Sequence, residues 1–210
     1  ILRRPFSAFG VTLVHLFERI HMLHRVLRYR YRTDRESIQY LRSTVKKGDV
    51  VFDVGANRGI YSYWFSKSVG PDGVVVGFEP QIETAEFARR FLWAFGCDNV
   101  TIESLALSDK SCERKLSRRN VDDGSARLLE DEMVGGEPGE IEDASEILNI
   151  AAMSLDEYCE TNEIESLAFM KIDTEGHELS VFKGGRGILG RFRPILLFEC
   201  FHPIAESGEI

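Results

Sequence analysis

Short apolar runs alternate along this chain with stretches whose apolar positions recur every three or four residues. The runs within DVVFDVG (49–55), VVVGFEP (74–80), NVTIESLALSD (99–109), LNIAAMS (148–154), SLAFMKID (166–173) and RPILLFEC (193–200) read as strands bounded by Gly, Pro, Asp and Ser. Between them, Gly59 to Val69, Ile82 to Phe95, LDEYCETN (155–162) and GHELSVFKGGRGIL (176–189) carry the helical period. Strands that alternate with helices long enough to cross over predict right-handed connections and a mostly parallel sheet covered on both faces. The expectation is a three-layer α/β domain with its ligand at the carboxyl ends of the strands.

Two regions depart from that rhythm. From Phe9 to Tyr31 the positions Leu13, Leu16, Phe17, Ile20, Leu23 and Leu27 form an apolar stripe with Arg19, Arg25 and Arg28 between them, and a second helix is expected from Asp34 to Val45. The first is an amphipathic basic helix that either packs its stripe on the main domain or meets an anionic membrane surface or an acidic partner. His15, His21 and His24 read as surface residues of that helix. From Lys110 to Ile150 the pattern breaks down, which predicts short hairpin strands and a mobile or substrate-facing excursion.

Composition narrows this picture. With 210 residues, 43% hydrophobic and 29% charged, the chain suits one globular domain rather than a disordered or collagen-like polymer. No apolar run is long enough to span a bilayer and the first residues do not form a secretory signal, so a cytoplasmic location is expected. Cys97, Cys112, Cys159 and Cys200 are far apart and read as reduced thiols. Residues 1–47 hold 11 Lys/Arg against 3 Asp/Glu, and the other 163 residues hold 15 against 31, giving nets of +8 and −16. This divides the chain into a basic helical extension (1–47) and a main domain (48–210), and an acidic body argues against wrapping nucleic acid.

The stretch VVFDVGANRGIYSYW (50–64) takes the chain from a strand through two glycines into a helix, where backbone can approach a ligand closely. Aligned on Gly55, a dinucleotide fingerprint would need glycines at 57 and 60, where Asn57 and Ile60 stand, and no Gly-Lys-Ser/Thr follows for a P-loop. A carboxylate at Asp53 disfavours a pyrophosphate and suits a ligand with ammonium and sulfonium groups, as in S-adenosylmethionine. Glu79, ending the second strand, is placed to accept hydrogen bonds from ribose hydroxyls. Asn57 either holds the turn or contacts the cofactor, and Tyr61 is a packing residue or a pocket contact.

Together with MSLDEY (153–158) and MKIDTEGHELSVFKGG (170–185), these segments make the chain resemble the FkbM family of S-adenosylmethionine-dependent methyltransferases over roughly residues 36 to 200. The resemblance implies a class I, Rossmann-like methyltransferase fold and methyl transfer to a hydroxyl of a sugar, glycan or small metabolite. It implies that Asp53, Gly55, Asn57 and Gly59 surround the methionine part of the cofactor, Glu79 the ribose, and Ala106 with Ser108 the adenine. Such sheets close with two further strands, yet ten residues follow RPILLFEC, so a missing or differently supplied C-terminal hairpin is expected.

Methyl transfer to an alcohol needs alignment and a group that accepts the hydroxyl proton. Asp173, Glu175 and His177 are the candidates, with Glu178, Glu199 and His202 nearby. The bland alternative for Asp173, Glu175 and Glu178 is helix-start chemistry. Asp173, Glu175, Glu199 and His202 have no diagnostic metal-ligand spacing, and no metal is expected. An RNA or protein methyltransferase recruiting its polymer through the basic helix, or a non-catalytic cofactor-binding module, remains open beside the small-molecule or glycan reading; oligomeric state is not readable from these residues.

Overall fold

A computed structural model describes residues 20–119, 126–129 and 146–199. The readings made for Leu13, Leu16, Phe17, His15, Cys200, His202 and most of the 110–150 excursion lie outside them. Strands β1 (Val50–Val54), β2 (Val74–Phe78), β3 (Val100–Glu103), β8 (Phe169–Ile172) and β9 (Ile195–Phe198) form one sheet, entirely parallel, in the order β3-β2-β1-β8-β9. Numbered by their own sequence the strands run 3-2-1-4-5, and the order reverses between β1 and β8, where an open α/β sheet forms its crevice.

Alternation along each strand divides two cores. Val51, Val75, Ile102 and Phe169 face the layer made by helices α1 (20–28), α2 (Arg35–Thr44), α3 (Ile60–Val69) and α4 (Ile82–Ala94). Phe52, Val54, Val76, Phe78, Met170 and Ile172 face α5 (Leu155–Thr161), α6 (Glu178–Gly184) and α7 (Arg186–Phe192). Phe52, Phe78 and Tyr158 meet edge to face in the second core, with ring centroids 4.8 to 6.0 Å apart.

Several expectations are corrected. The run NVTIESLALSD is two strands in two sheets: β3 ends at Glu103, and β4 (Ala106–Ser108) pairs instead with β7 (Glu146–Ser154). Arg89 holds the bend between them, donating to the Ile102 carbonyl and to Ser104 Oγ. With β5 (Cys112–Arg118) and β6 (Arg127–Leu128), these strands form a second sheet, β4-β7-β5-β6, with its own small core of Ala106, Leu116, Ile150 and Ala152. The helix expected over 176–189 is broken at Gly184 and Gly185, where a Cβ would stand 1.9 Å from the Ser108 carbonyl oxygen and 2.5 Å from Leu155 Cδ2. Close approach of β4 and α5 therefore sets the break.

The basic helix is also turned from its expected face. Met22 and Val26 are the residues that enter the core with Ile38, Leu41 and Trp64, whereas Ile20, Leu23 and Leu27 are exposed. Past residue 28 the helix widens into a π turn (Tyr29–Thr33), in which the Arg30 guanidinium lies 5.1 Å from the Trp64 ring centroid. The described sheet ends at β9, on which Ile195, Leu196 and Phe198 are exposed, and the reading made for a C-terminal hairpin lies outside the described residues. Among the described residues, no helix is long and apolar enough to cross a membrane.

Candidate active site

The crevice is built from two strand-end turns. After β1, Gly55 takes φ +80°, and a Cβ on it would stand 1.8 Å from the Asp173 carbonyl oxygen, so only glycine lets the two turns meet. Gly55 and Ala56 donate their N–H groups to the Phe78 carbonyl. Asn57, at φ +47°, accepts a hydrogen bond from the Arg58 N–H through Oδ1 and donates its own N–H to Glu79 Oε2 at 3.0 Å. Glu79 Oε1 accepts the Gln81 N–H at 2.9 Å. Burial pushes the Glu79 carboxyl up to about 7, against the pull of the Gln81 and Asn57 donors.

After β8, the loop 173–177 is held from within. Glu178 Oε1 accepts three hydrogen bonds, from the N–H and Oγ1 of Thr174 and from the N–H of Gly176. Glu175 at φ +54° and Gly176 at φ +100° complete a tight reversal. Lys171, buried in β8, places Nζ 2.8 Å from Asp173 Oδ2 and 4.3 Å from the centre of the Tyr61 ring. The Tyr61 hydroxyl in turn donates to Asp34 at the start of α2.

Two cavities open at this junction. The first is lined by Val54, Phe78, Glu79, Pro80 and Gln81 at the ends of β1 and β2, by Ala106 and Leu107 of β4, and by Leu116 and Leu128 of the second sheet. With the open solvent at its mouth included it spans ≈ 570 Å³, but only ≈ 60 Å³ of it admits the centre of a water molecule, so it is a narrow slot. The second, ≈ 1220 Å³ with the open solvent at its mouth included, is lined by Arg25, Tyr29, Arg58, Ile60, Tyr61 and Lys171. Gly55, Asn57, Asp173 and Glu175 line both.

The residues singled out from sequence are distributed unevenly over this junction. Gly55, Asn57, Asp173 and Glu175 stand where the cavities meet, while Glu79, Ala106 and His177 face the first cavity alone. Asp53 is fully buried beneath α3 and lines neither cavity; Ser62 donates to its Oδ2 at 2.6 Å, and burial raises its pKa against the opposing field of Lys171. Gly59 lines neither as well: it starts α3 at φ +80°, and a Cβ there would press on Leu92 Cδ1 of α4 at 3.2 Å.

Ser108 is buried with Oγ 3.0 Å from His177 Nε2. The hydroxyl donates its one proton to Asp109 Oδ1, which leaves His177 Nε2 to donate. His177 therefore ties α6 to β4 and is turned away from the second cavity. Glu199 lines neither cavity; its N–H donates to the Ile172 carbonyl, and burial with the nearby Asp173 charge pushes its carboxyl up. Among the described residues, no cluster of three or more His, Cys, Asp or Glu is arranged to hold a metal ion.

Lys171, Arg25, Tyr29 and Arg58 were not named from sequence as site residues. For Lys171 a signal was present, because a lysine inside FMKI, on a strand covered on both faces, must have a partner. Arg25 and Tyr29 reach the cavity only through the docking of α1, which no local pattern shows.

A parallel sheet in this order, a glycine turn after its first strand and a carboxylate ending its second define the class I methyltransferase arrangement. The model of the methyltransferase FkbM domain matches residues 53–210, and the chain belongs to that family, whose methyl donor is S-adenosyl-L-methionine. Over 58 residues, 28% of each chain, it is 40% identical to a protein-L-isoaspartate O-methyltransferase of Ignicoccus hospitalis. Among solved structures it is 28% identical to a SAM-dependent O-methyltransferase of Thermotoga maritima (TM-score 0.31, 33% of this chain and 27% of that one). It is also 28% identical to a SAM-dependent methyltransferase of Aquifex aeolicus (TM-score 0.34, 40% of this chain and 43% of that one). The chain spans less than half the length of each of these relatives.

Proposed function

We propose that the protein transfers a methyl group from S-adenosylmethionine to a hydroxyl of a small molecule or glycan. The observation that carries this reading is the pair of cavities sharing the wall of Gly55, Asn57, Asp173 and Glu175. Where the cavities meet at these residues, a donor in one and an acceptor in the other can approach in line. Glu79 accepts the Asn57 and Gln81 N–H groups and a hydrogen bond from the Gln81 side chain, and the carboxylate keeps acceptor capacity for a ribose hydroxyl at the slot. Ala106, Leu107, Leu116 and Leu128 form apolar walls suited to an adenine ring.

When bound, the cofactor supplies an electrophilic methyl on a sulfonium. The chain's own residues align the acceptor and take its proton. Asp173 or Glu175 would accept the proton of the acceptor hydroxyl as that oxygen takes the methyl group. Lys171 fixes the Asp173 carboxylate at the junction. His177, with its Nε2 committed to Ser108, supports the slot rather than serving as base. Asp53 acts from behind the turn through Ser62, and Gly59 through packing.

The acidic main body disfavours nucleic acid as a partner, and a second cavity closed on one side by α1 suits a small acceptor better than a polymer. Unpaired thiols at Cys97, Cys112 and Cys159 support a cytoplasmic location within the same proposal. The division at 47/48 is proposed as one of charge, since Met22, Val26, Ile38 and Leu41 share a core with β1. The test is a melting curve with S-adenosylhomocysteine, the demethylated product, followed by incubation of donor with a pool of hydroxylated acceptors. A raised melting temperature and methylated products support the reading; an unchanged curve sinks it, and binding without turnover on any acceptor leaves a cofactor-binding module instead.

A further inference from the structure

Helix α1 has two apolar faces, and the fold uses one. Met22 and Val26, one turn apart, are 2% and 1% exposed and fasten the helix to the core. At ~100° per residue, Ile20, Leu23 and Leu27 fall together on a neighbouring face, centred about 110° around the helix from Met22 and Val26. They are 59%, 41% and 40% exposed. A single exposed leucine is ordinary on a protein surface. Three aligned on a helix already anchored by its other face form an outward stripe for which the described fold has no use.

The charge around the stripe names its occupant. Residues 20–33 contain Arg25, Arg28, Arg30 and Arg32 and no Asp or Glu, and Arg28 and Arg32 are exposed. A second copy paired through this same face would set arginines against arginines. A soluble polyanion would satisfy the arginines and leave the three apolar side chains in water. An anionic bilayer serves both, with headgroups for the guanidinium groups and the acyl boundary for the stripe.

We propose that the outer face of α1, formed by Ile20, Leu23 and Leu27 and flanked by Arg28 and Arg32, docks the protein on an anionic membrane surface. The acidic body, at −16 over residues 48–210, is repelled by the same surface, which leaves this face as the contact and fixes the protein's orientation.

The experiment is co-sedimentation of the full chain with vesicles of phosphatidylcholine alone and with about one third phosphatidylglycerol. Two double variants, Leu23→Ser/Leu27→Ser and Arg28→Glu/Arg32→Glu, are compared with the unaltered chain, and circular dichroism checks that each is folded. The chain should sediment with anionic vesicles and stay in solution with neutral ones. Each variant should weaken partitioning about tenfold or more, and about 0.5 M salt should release much of the bound protein. Three outcomes overturn the proposal: a chain that stays in solution with anionic vesicles, a leucine variant that partitions normally, or a dimer in light scattering that Leu23→Ser/Leu27→Ser abolishes. Binding of a single-stranded RNA that survives the leucine substitutions while vesicle binding is absent overturns it as well.

Discussion

Two buried glutamates, Glu79 and Glu178, each clamp one of the turns that meet at the crevice, and the use each makes of its oxygens separates a ligand group from a structural one. Glu178 gathers three donors of its own loop on a single oxygen and lines neither cavity. Glu79 takes one backbone donor on each oxygen and lines the slot with its carboxyl held high by burial. A carboxylate committed to its own loop and facing no cavity stabilises the fold. One that is desolvated and open to a cavity is prepared for a ligand. The same contrast applies to the glycines, since Gly55 is demanded by contact with Asp173 and Gly176 by its backbone angle alone.

The substitution with the largest expected effect is Gly55→Ala. Its methyl group meets the Asp173 carbonyl oxygen at 1.8 Å, so the turns must separate, and denaturant unfolding should show a loss of more than ~4 kcal/mol or no folded protein. Glu178→Ala leaves the N–H groups of Thr174 and Gly176 unpaired and should cost about 3 kcal/mol in the same measurement. If Glu178 instead contacted cofactor, its loss would weaken S-adenosylhomocysteine binding far more than stability. Glu79→Ala should do the reverse, weakening that binding about tenfold or more in calorimetry with a smaller change in stability. Gly176→Ala has open space for its methyl group and should cost only ~1 kcal/mol, from the backbone angle alone.

The raised Glu79 carboxyl also sets a pH dependence. Between the ordinary value of 4.5 and about 7, the folded chain keeps a proton that the unfolded chain has released. The contribution of Glu79 to stability is therefore greatest below 4.5 and is lost as pH rises through that window. Cofactor binding runs the other way, because the ionised carboxylate is the stronger acceptor for a ribose hydroxyl, so affinity should fall as pH drops below about 7.

Much of the sheet was legible because its strands are short apolar runs with Gly, Pro and Asp at their ends, and Glu79 was legible because GFEP closes one of them. What escaped depended on distant partners. The split of NVTIESLALSD is decided by β7, which pairs with Ala106 through Ala152, and the position of His177 by Ser108, 69 residues away. Asp53 looked like a ligand residue because it ends a strand, but the pleat turns it toward Ser62 of α3. The stripe at Ile20, Leu23 and Leu27 had a correct helical period. Periodicity marks a face without saying which of two apolar faces meets the core, and Met22 and Val26 took that place.

The most direct measurement of the central claim is calorimetric titration with S-adenosylhomocysteine at pH 8 and pH 6, for the unaltered chain and for Glu79→Gln. The account predicts saturable binding that weakens at pH 6 in the unaltered chain, and weak binding with little pH dependence once the carboxylate is replaced. Absence of binding at both pH values, or a Glu79→Gln chain that binds as tightly and with the same pH dependence as the unaltered one, would contradict it.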